Sequence, residues 1–244
     1  MLKEKEHKNK VKVYGVIIGL VSLALQHGIY LLANEIAGWV GVTPFLPKIE
    51  AIDGLFPIIP IFILPYVWAY AFWGMAPMAV SKCKLDYFLD YLAAYLLACI
   101  MGAVILIFAP TYMDRVAEGL MDTSKQGFLY DLMRFWYSLD GGDRAYNLFP
   151  SFHCINSTIS YLGVRKREEI PKWFRVYSLV ITVLIYFATL FVKQHFFVDV
   201  ISGIFIAVLA YMICIRWHWG KIFNYPIAWW NGLKRKKEND GAKQ

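Results

Sequence analysis

The sequence predicts an all-α protein, a polytopic bundle of six transmembrane helices. Of its 244 residues, 59% are hydrophobic and 17% are aromatic, so the chain carries more apolar surface than a soluble domain of this size could bury. A bilayer-crossing helix needs about 20 apolar residues. Six segments are candidates: about 13–33, 55–80, 87–110, 149–164, 174–192 and 196–216.

The two ends of the chain are polar and basic. Residues 1–12 predict a basic arm and residues 217–244 a basic tail, on either side of a membrane domain at 13–216. The arm is too charged for a removable signal peptide, and the first apolar run is long and lacks a small-residue cleavage site. The first segment is therefore expected to remain as a span.

The net charge of +7 is unevenly distributed along the chain. Of the 25 Lys and Arg residues, 19 lie in the arm, the tail and the loops after the second and fourth spans, all on one side of a six-span protein. The positive-inside rule then places both termini in the cytoplasm. Anionic lipid headgroups explain the basic ends. The predicted partner is therefore a membrane, which we expect to be the plasma membrane, and no nucleic acid is expected.

The first two spans contain a few notable side chains. His27 is the histidine of the first span, and we expect it to bond a neighbouring helix rather than a ligand. Pro57, Pro60 and Pro65 should kink the second span or delay its start, since each removes a helix donor. The aromatic run at 66–73 either lines a groove for lipid chains or packs as an ordinary interfacial belt.

The segment 111–148 is the longest one outside the predicted spans, and it is too long for a simple connector. It shows a partial helical pattern from Phe128 to Leu139 and a turn at 140–143. The topology makes it an extracytoplasmic loop. It contains several cations, including Arg115, and leads directly into the fourth segment.

The fourth segment is short and polar, with the side chains Ser151, His153, Asn156, Ser157, Thr158 and Ser160. Such a helix cannot face lipid and is expected to line a wet cavity inside the bundle. Pro150 suits a helix start. The free amides there, with the Ser151 hydroxyl, would form a cradle for phosphate.

A second histidine follows the fifth span. His195 and Asp199 are four residues apart, which places them on one helix face, and the fifth span returns the chain to the level of His153. Asp199 can orient one ring nitrogen of His195 and leave the other free as a nucleophile. The alternative is a buried polar pair that locks two helices together.

Two histidines, a carboxylate and nearby cations can attack a phosphate ester through a covalent phosphohistidine. No metal is required by this chemistry. The four cysteines are scattered without metal-site spacing, and no carboxylate cluster accompanies the histidines. We therefore expect no cofactor, and activity that survives chelators.

The motifs Pro150-Ser151-x-His153 and His195-x-x-x-Asp199, the latter followed by 200–203 (Val-Ile-Ser-Gly), resemble the second and third signatures of the phosphatidic acid phosphatase type 2 superfamily. Within it, the bulky residue between Ser151 and His153 is similar to lipid phosphotransferases such as inositol phosphorylceramide and sphingomyelin synthases. The resemblance implies that His195 is the nucleophile, Asp199 its orienting group and His153 the general acid.

The chain departs from that superfamily in its cations. Of the first signature, Pro110-Thr111 and Arg115 are a remnant, and Thr189 occupies the position of an arginine in the third. Lys193 is the candidate replacement. The predicted phosphate-binding residues are thus Ser151, Lys193 and Arg115, although Arg115 is alternatively a solvated loop charge.

Two classes of function remain. One is an enzyme that cleaves or transfers the phosphate-containing headgroup of a lipid phosphate or phospholipid, with water as acceptor in a phosphatase or an alcohol in a transferase. The other is a non-catalytic lipid-binding relative. A transporter would need broken helices at matching positions of two repeats, and only the second span is interrupted by proline. The predicted active site is extracytoplasmic, in the plasma membrane.

Overall fold

The computed structural model describes residues 13–223, which form eight α-helices and one short two-stranded antiparallel sheet. The predicted arm at 1–12 and residues 224–244 of the predicted tail lie outside this range. The helices are α1 (Val13–Val40), α2 (Glu50–Asp53), α3 (Ile63–Val80), α4 (Leu85–Phe108), α5 (Phe128–Leu139), α6 (Phe152–Val164), α7 (Lys172–Phe191) and α8 (Phe197–Trp217). The strands are β1 (Tyr112–Asp114) and β2 (Arg144–Tyr146), and 3₁₀ turns form at Pro60–Phe62 and Trp219–Phe223.

Five helices in the described part of the chain are long and apolar enough to cross a membrane, which makes this an integral membrane protein. They are α1, α3 with its preceding 3₁₀ turn, α4, α7 and α8. The predicted number of six is wrong. The segment 149–164 forms only the 13-residue helix α6, about 20 Å long at 1.5 Å per residue, against a hydrocarbon core of about 30 Å.

Helix α6 lies at the centre of the bundle, where α3, α4, α7 and α8 surround it. All of its residues except Tyr161 are buried, so its polar side chains are kept away from lipid. At its end, Tyr87 near the start of α4 donates a hydrogen bond of 2.8 Å to the carbonyl of Gly163. At its beginning, Phe152 packs beside Gly102 of α4. The start of α6 therefore lies beside Gly102, six residues before α4 ends at Phe108.

The second span starts at Pro60, later than the predicted residue 55, as its prolines indicated. Helix α5 coincides with the helical pattern predicted from Phe128 to Leu139. The two-stranded sheet was not predicted. It pairs Tyr112 with Tyr146 and the buried Met113 with Ala145, and its three-residue strands are too short to show a period-two pattern in the sequence.

Candidate active site

The start of α6 is held in place by bonds to two other parts of the chain. Leu148 and Phe149 donate their backbone N–H groups to the Thr111 hydroxyl at 3.0 and 3.1 Å, and the Ser151 N–H donates to the carbonyl of Asp199 at 3.0 Å. Ser151 is the N-cap, and its Oγ accepts from the N–H of Cys154 at 3.3 Å. Capping at Ser151 places His153 in the first turn.

The second histidine is placed by the tight connection between α7 and α8. The N–H groups of Gln194 and His195 both donate to the carbonyl of Thr189, at 2.9 and 3.1 Å. Asp199, in the first turn of α8, accepts from the Phe196 N–H at 2.9 Å through Oδ2. The same oxygen lies 3.4 Å from His195 Nδ1. The fully buried carboxylate thus both caps α8 and faces the imidazole.

The two histidines face each other from these two helix starts. Their ring centroids are 6.2 Å apart, and each side chain is almost entirely buried. Tyr66 stacks on His153 with ring centroids 4.1 Å apart, and Trp73 forms a T-shaped contact with His153 at 5.0 Å. His153 Nε2 is buried without a hydrogen-bond partner in the described residues. It is therefore free to bond a ligand placed between the two rings.

A cavity of about 380 Å³ opens in front of the histidine pair. Both His153 and His195 line it, and α1, α3, α5 and α6 provide most of the remaining wall. Its polar wall includes Gln26, which accepts a hydrogen bond from Asn156, and Asp140 at the end of α5. This volume is within the range of small-molecule sites in proteins.

Ser151 and Lys193 lie near the histidines but do not line this cavity. Ser151 is completely buried beneath the start of α6. Lys193 Nζ donates to the carbonyl of Asp53 at 2.9 Å, away from the cavity. Burial lowers the pKa of the Lys193 ammonium, and Glu118 and Asp53 oppose that effect. Both groups are engaged by protein atoms.

Arg115 also lies outside the cavity wall and is fully buried. Its Nη1 donates to the carbonyls of Tyr137, Asp140 and Gly142 at 2.8 to 3.0 Å. Its Nη2 donates to Asp140 Oδ2 and Gln194 Oε1, both at 2.9 Å. Burial raises the pKa of the Asp140 carboxyl, and Arg115 and His195 oppose the rise. The guanidinium therefore ties the outer loop to the turn that carries His195, so it is not the solvated charge of the alternative interpretation.

Several cavity residues were not identified as site residues from the sequence. His27 lines the cavity rather than serving a helix contact, and Asp140 resembles an ordinary turn residue in the sequence. Tyr66, Tyr70 and Trp73 all line the cavity from α3. Their spacing of four and then three residues marks one face of a helix. In the sequence this aromatic run fits either the lining of a groove or an ordinary interfacial belt, and three of its residues do line the cavity.

The described residues contain no group of three or more His, Cys, Asp and Glu side chains that could hold a metal ion. The four cysteines are free and buried. The side chains that meet at the site are the two imidazoles and the buried Asp199 carboxylate, with the polar side chains of the wall around them.

Comparison with known proteins gives one match. The family model described as the PAP2 superfamily matches residues 58–213, which reach from the start of the second span to within four residues of the end of α8 and include both histidines. No curated protein matches, and no solved structure matches. The match extends over more than half of the chain and includes the whole histidine site, and the protein therefore belongs to the PAP2 superfamily.

Proposed function

We propose that this membrane protein is a lipid phosphatase or lipid headgroup phosphotransferase that acts through a phosphohistidine on His195. The observation that carries the proposal is the placement of His153 and His195 across one cavity, 6.2 Å apart, with Asp199 behind His195. Membership in the PAP2 superfamily is consistent with phosphatase-type chemistry on a lipid.

The geometry suggests a division of roles. Asp199 faces His195 Nδ1, so a proton on Nδ1 leaves Nε2 as the nucleophile that attacks phosphorus. His153 Nε2, without a protein partner, donates a proton to the departing lipid oxygen. In the second step His153 takes a proton from water or an alcohol, which then attacks the phosphohistidine. The Nδ1 to carboxylate distance of 3.4 Å is long, as is common before a substrate binds.

The phosphate-binding role of Ser151, Lys193 and Arg115 stays a prediction. The polar groups of all three bond other protein groups. The predicted independence from metal ions also stays a prediction. The positive charge that a phosphorane-like transition state needs would come first from protonated His153 and from the imidazolium formed at His195.

The test is turnover by purified protein in lipid nanodiscs with a panel of phosphate-containing lipids. Free phosphate, released headgroup and transferred headgroup are measured separately, and acid-labile phosphoprotein is trapped during turnover. We expect a phosphoprotein that His195→Ala does not form. Binding of lipids without turnover or phosphoprotein, for every member of the panel, would instead support a non-catalytic lipid-binding protein.

A further inference from the structure

One acidic side chain from the connection between α1 and α3 reaches the turn that carries His195. Asp53 ends the short helix α2, and only 3% of its surface is exposed. Its Oδ1 accepts a hydrogen bond of 2.7 Å from the backbone N–H of Phe197, the first residue of α8. The two residues are 144 positions apart in the chain, so the contact depends on the tertiary fold and is not a local helix cap.

Asp53 also holds the other side of this turn. Its backbone carbonyl accepts a hydrogen bond from Lys193 Nζ at 2.9 Å. Asp53 therefore bonds both the residue two positions before His195 and the residue two positions after it. Lys193 has a φ of 50°, an uncommon backbone conformation for a residue other than glycine. The bonds to Asp53 thus stabilise a turn that its own backbone disfavours.

The Asp53 carboxylate is itself fixed in one position. Its Oδ2 accepts from the N–H of Ile49 at 2.7 Å, across the short helix α2. Phe56, just after α2, packs against Phe191 and Phe197 with ring centroids 5.8 and 6.3 Å apart. Both carboxylate oxygens are therefore engaged by backbone N–H groups, and hydrogen bonds to an ionised acceptor are the stronger kind.

The bond from Phe197 to Asp53 also affects Asp199. The N–H of Phe197 is one of the donors that the start of a helix leaves free, and Asp53 satisfies it. Asp199 Oδ2 accepts from Phe196 and faces His195, whereas Asp199 Oδ1 is buried without a hydrogen-bond partner among the described residues. Without Asp53, an unpaired N–H and an unpaired carboxylate oxygen would lie in the same helical turn. A rotation of Asp199 towards that N–H would take the carboxylate away from the histidine.

We propose that Asp53 is a positioning residue for the nucleophile, because it holds the turn on both sides of His195 and keeps Asp199 directed at the imidazole. The inference rests on the proposed function for the role of His195. Asp53 lies outside the residues 58–213 that the family model matches. It does not line the cavity, so it acts through His195 and Asp199 and not on the substrate.

The first test separates kcat from KM for purified protein in lipid nanodiscs. Asp53→Ala should lower kcat by at least about 10-fold, because a shift near 1 Å misaligns the reacting groups. KM should stay nearly unchanged, since the cavity wall is intact. The loss should be equal on a lipid phosphate ester and on an activated aryl ester, because the nucleophile is needed whatever leaves. Asp53→Asn should recover part of the loss, since its amide oxygen can still accept from one of the two N–H groups.

Two variants serve as matched controls. Glu50→Ala removes the other acidic side chain of α2, which is 80% exposed, and it should leave kcat and KM unchanged. Val80→Ala shortens a fully buried side chain at the far end of α3. It should lower the melting temperature without a comparable fall in the kcat of the folded enzyme. A fall in kcat in Asp53→Ala alone is then not a consequence of reduced stability.

The second test does not depend on turnover. Nitrogen NMR of protein with isotopically labelled histidines reports the His195 ring and the environment of its Nδ1, and His195→Ala assigns the signals. We expect Asp53→Ala to shift the His195 signals and Glu50→Ala to leave them in place. His218 bonds Asp90 just beyond the other end of α8, and its signals should not move in either variant.

Unchanged His195 signals in Asp53→Ala would overturn the inference, whatever reaction the protein catalyses. So would a fall in kcat no larger than that of Val80→Ala. A rise in KM at unchanged kcat would indicate contact with the substrate instead, and would also exclude a positioning role. Should Asp53→Ala not fold, Asp53→Asn carries the same comparisons. If the unmodified protein forms no phosphoprotein from any lipid while the His195 signals still shift, the proposed function is wrong and the positioning of His195 by Asp53 stands.

Discussion

His153 and His195 meet because two helix starts are bonded to each other. The N–H of Ser151 donates to the carbonyl of Asp199, which fixes the first turn of α6 against that of α8. The sequence motifs predicted both histidines and Asp199 as site residues. They could not predict the stacking of Tyr66 on His153, because that contact depends on how α3 is rotated against α6.

The proposed roles predict different losses for the two histidines. His195→Ala should abolish phosphoprotein with every substrate, since the nucleophile is needed whatever leaves. His153→Ala should cost roughly 10²- to 10⁴-fold in kcat on a lipid alkyl ester, the usual contribution of a general acid, but much less on an activated aryl ester. The loss of activity in Asp199→Asn should fall between those of the two histidine variants. Asparagine retains the shape of the side chain but loses the negative charge beside His195.

Steady-state rates on a lipid substrate and on its aryl analogue, with all three variants, check this prediction. The assignment is wrong if His153→Ala lowers the rate equally on both substrates while His195→Ala keeps activity on either one. A circular dichroism melt of each variant controls for loss of fold.

Arg115 illustrates a residue whose role depends on tertiary context. Its five hydrogen bonds go to the end of α5, the following turn and Gln194. In the sequence it resembles a remnant of a phosphate-binding arginine. Nothing in the local pattern indicates that the chain between residues 137 and 142 curls around its guanidinium.

We expect Arg115→Met to destabilise the protein by about 3–5 kcal/mol, because it removes a fully buried guanidinium and leaves its five hydrogen-bond acceptors, including the partly exposed Asp140 carboxylate, without this donor. Arg144→Met, which removes a 63% exposed side chain 3.6 Å from Asp114, should change stability by less than about 1 kcal/mol. Thermal unfolding in detergent measures both. If Arg115→Met leaves the melting temperature unchanged and raises only KM, a direct contact with the substrate phosphate would be the better interpretation.

At the scale of elements, the close approach of α8 to the start of α6 determines the separation of the histidines. A Cβ on Gly203 would lie 2.6 Å from the carbonyl oxygen of Ser151, closer than packed atoms allow. Only glycine fits there without a shift of one helix. The sequence showed this glycine within the motif, but not which backbone atom it approaches.

Gly203→Ala should therefore lower kcat by at least about 10-fold, since a shift near 1 Å misaligns the reacting groups. Gly28→Ala is the matched control, because a Cβ at Gly28 would meet nothing within 4 Å. The measurements are kcat and melting temperature for both variants. Full activity of Gly203→Ala would show that the packing between α6 and α8 tolerates the added methyl group.

The helices were predicted with unequal success for physical reasons. Long apolar segments such as α4 and α8 follow directly from hydropathy, and α5 follows from its periodicity. The length of α6 was overestimated. The apolar residues around its polar ones extend the hydrophobic segment in the sequence, but Pro150 and Ser151 delay the start of the helix to Phe152.

At the scale of the whole molecule, the membrane orientation stays a prediction from the distribution of cations. Both termini are predicted in the cytoplasm and the loop at 111–148 outside. Ser124→Cys lies in that loop and Glu168→Cys between α6 and α7, and both positions are exposed. A membrane-impermeant maleimide on intact cells should label the first variant only, and permeabilised cells should label both. If only Glu168→Cys were labelled on intact cells, the protein would have the opposite orientation in the membrane.

The shortness of α6 has a consequence for the bilayer itself. Phe152 packs beside Gly102, six residues before the end of α4, a depth of roughly 9 Å at 1.5 Å per residue. On the proposed function, a lipid substrate would have to lower its headgroup by about this depth from the level of the end of α4 before its phosphorus meets His195. A thinner bilayer shortens that descent. We therefore expect turnover to depend on the acyl-chain length of the surrounding membrane, separately from the chemistry of the lipid that reacts.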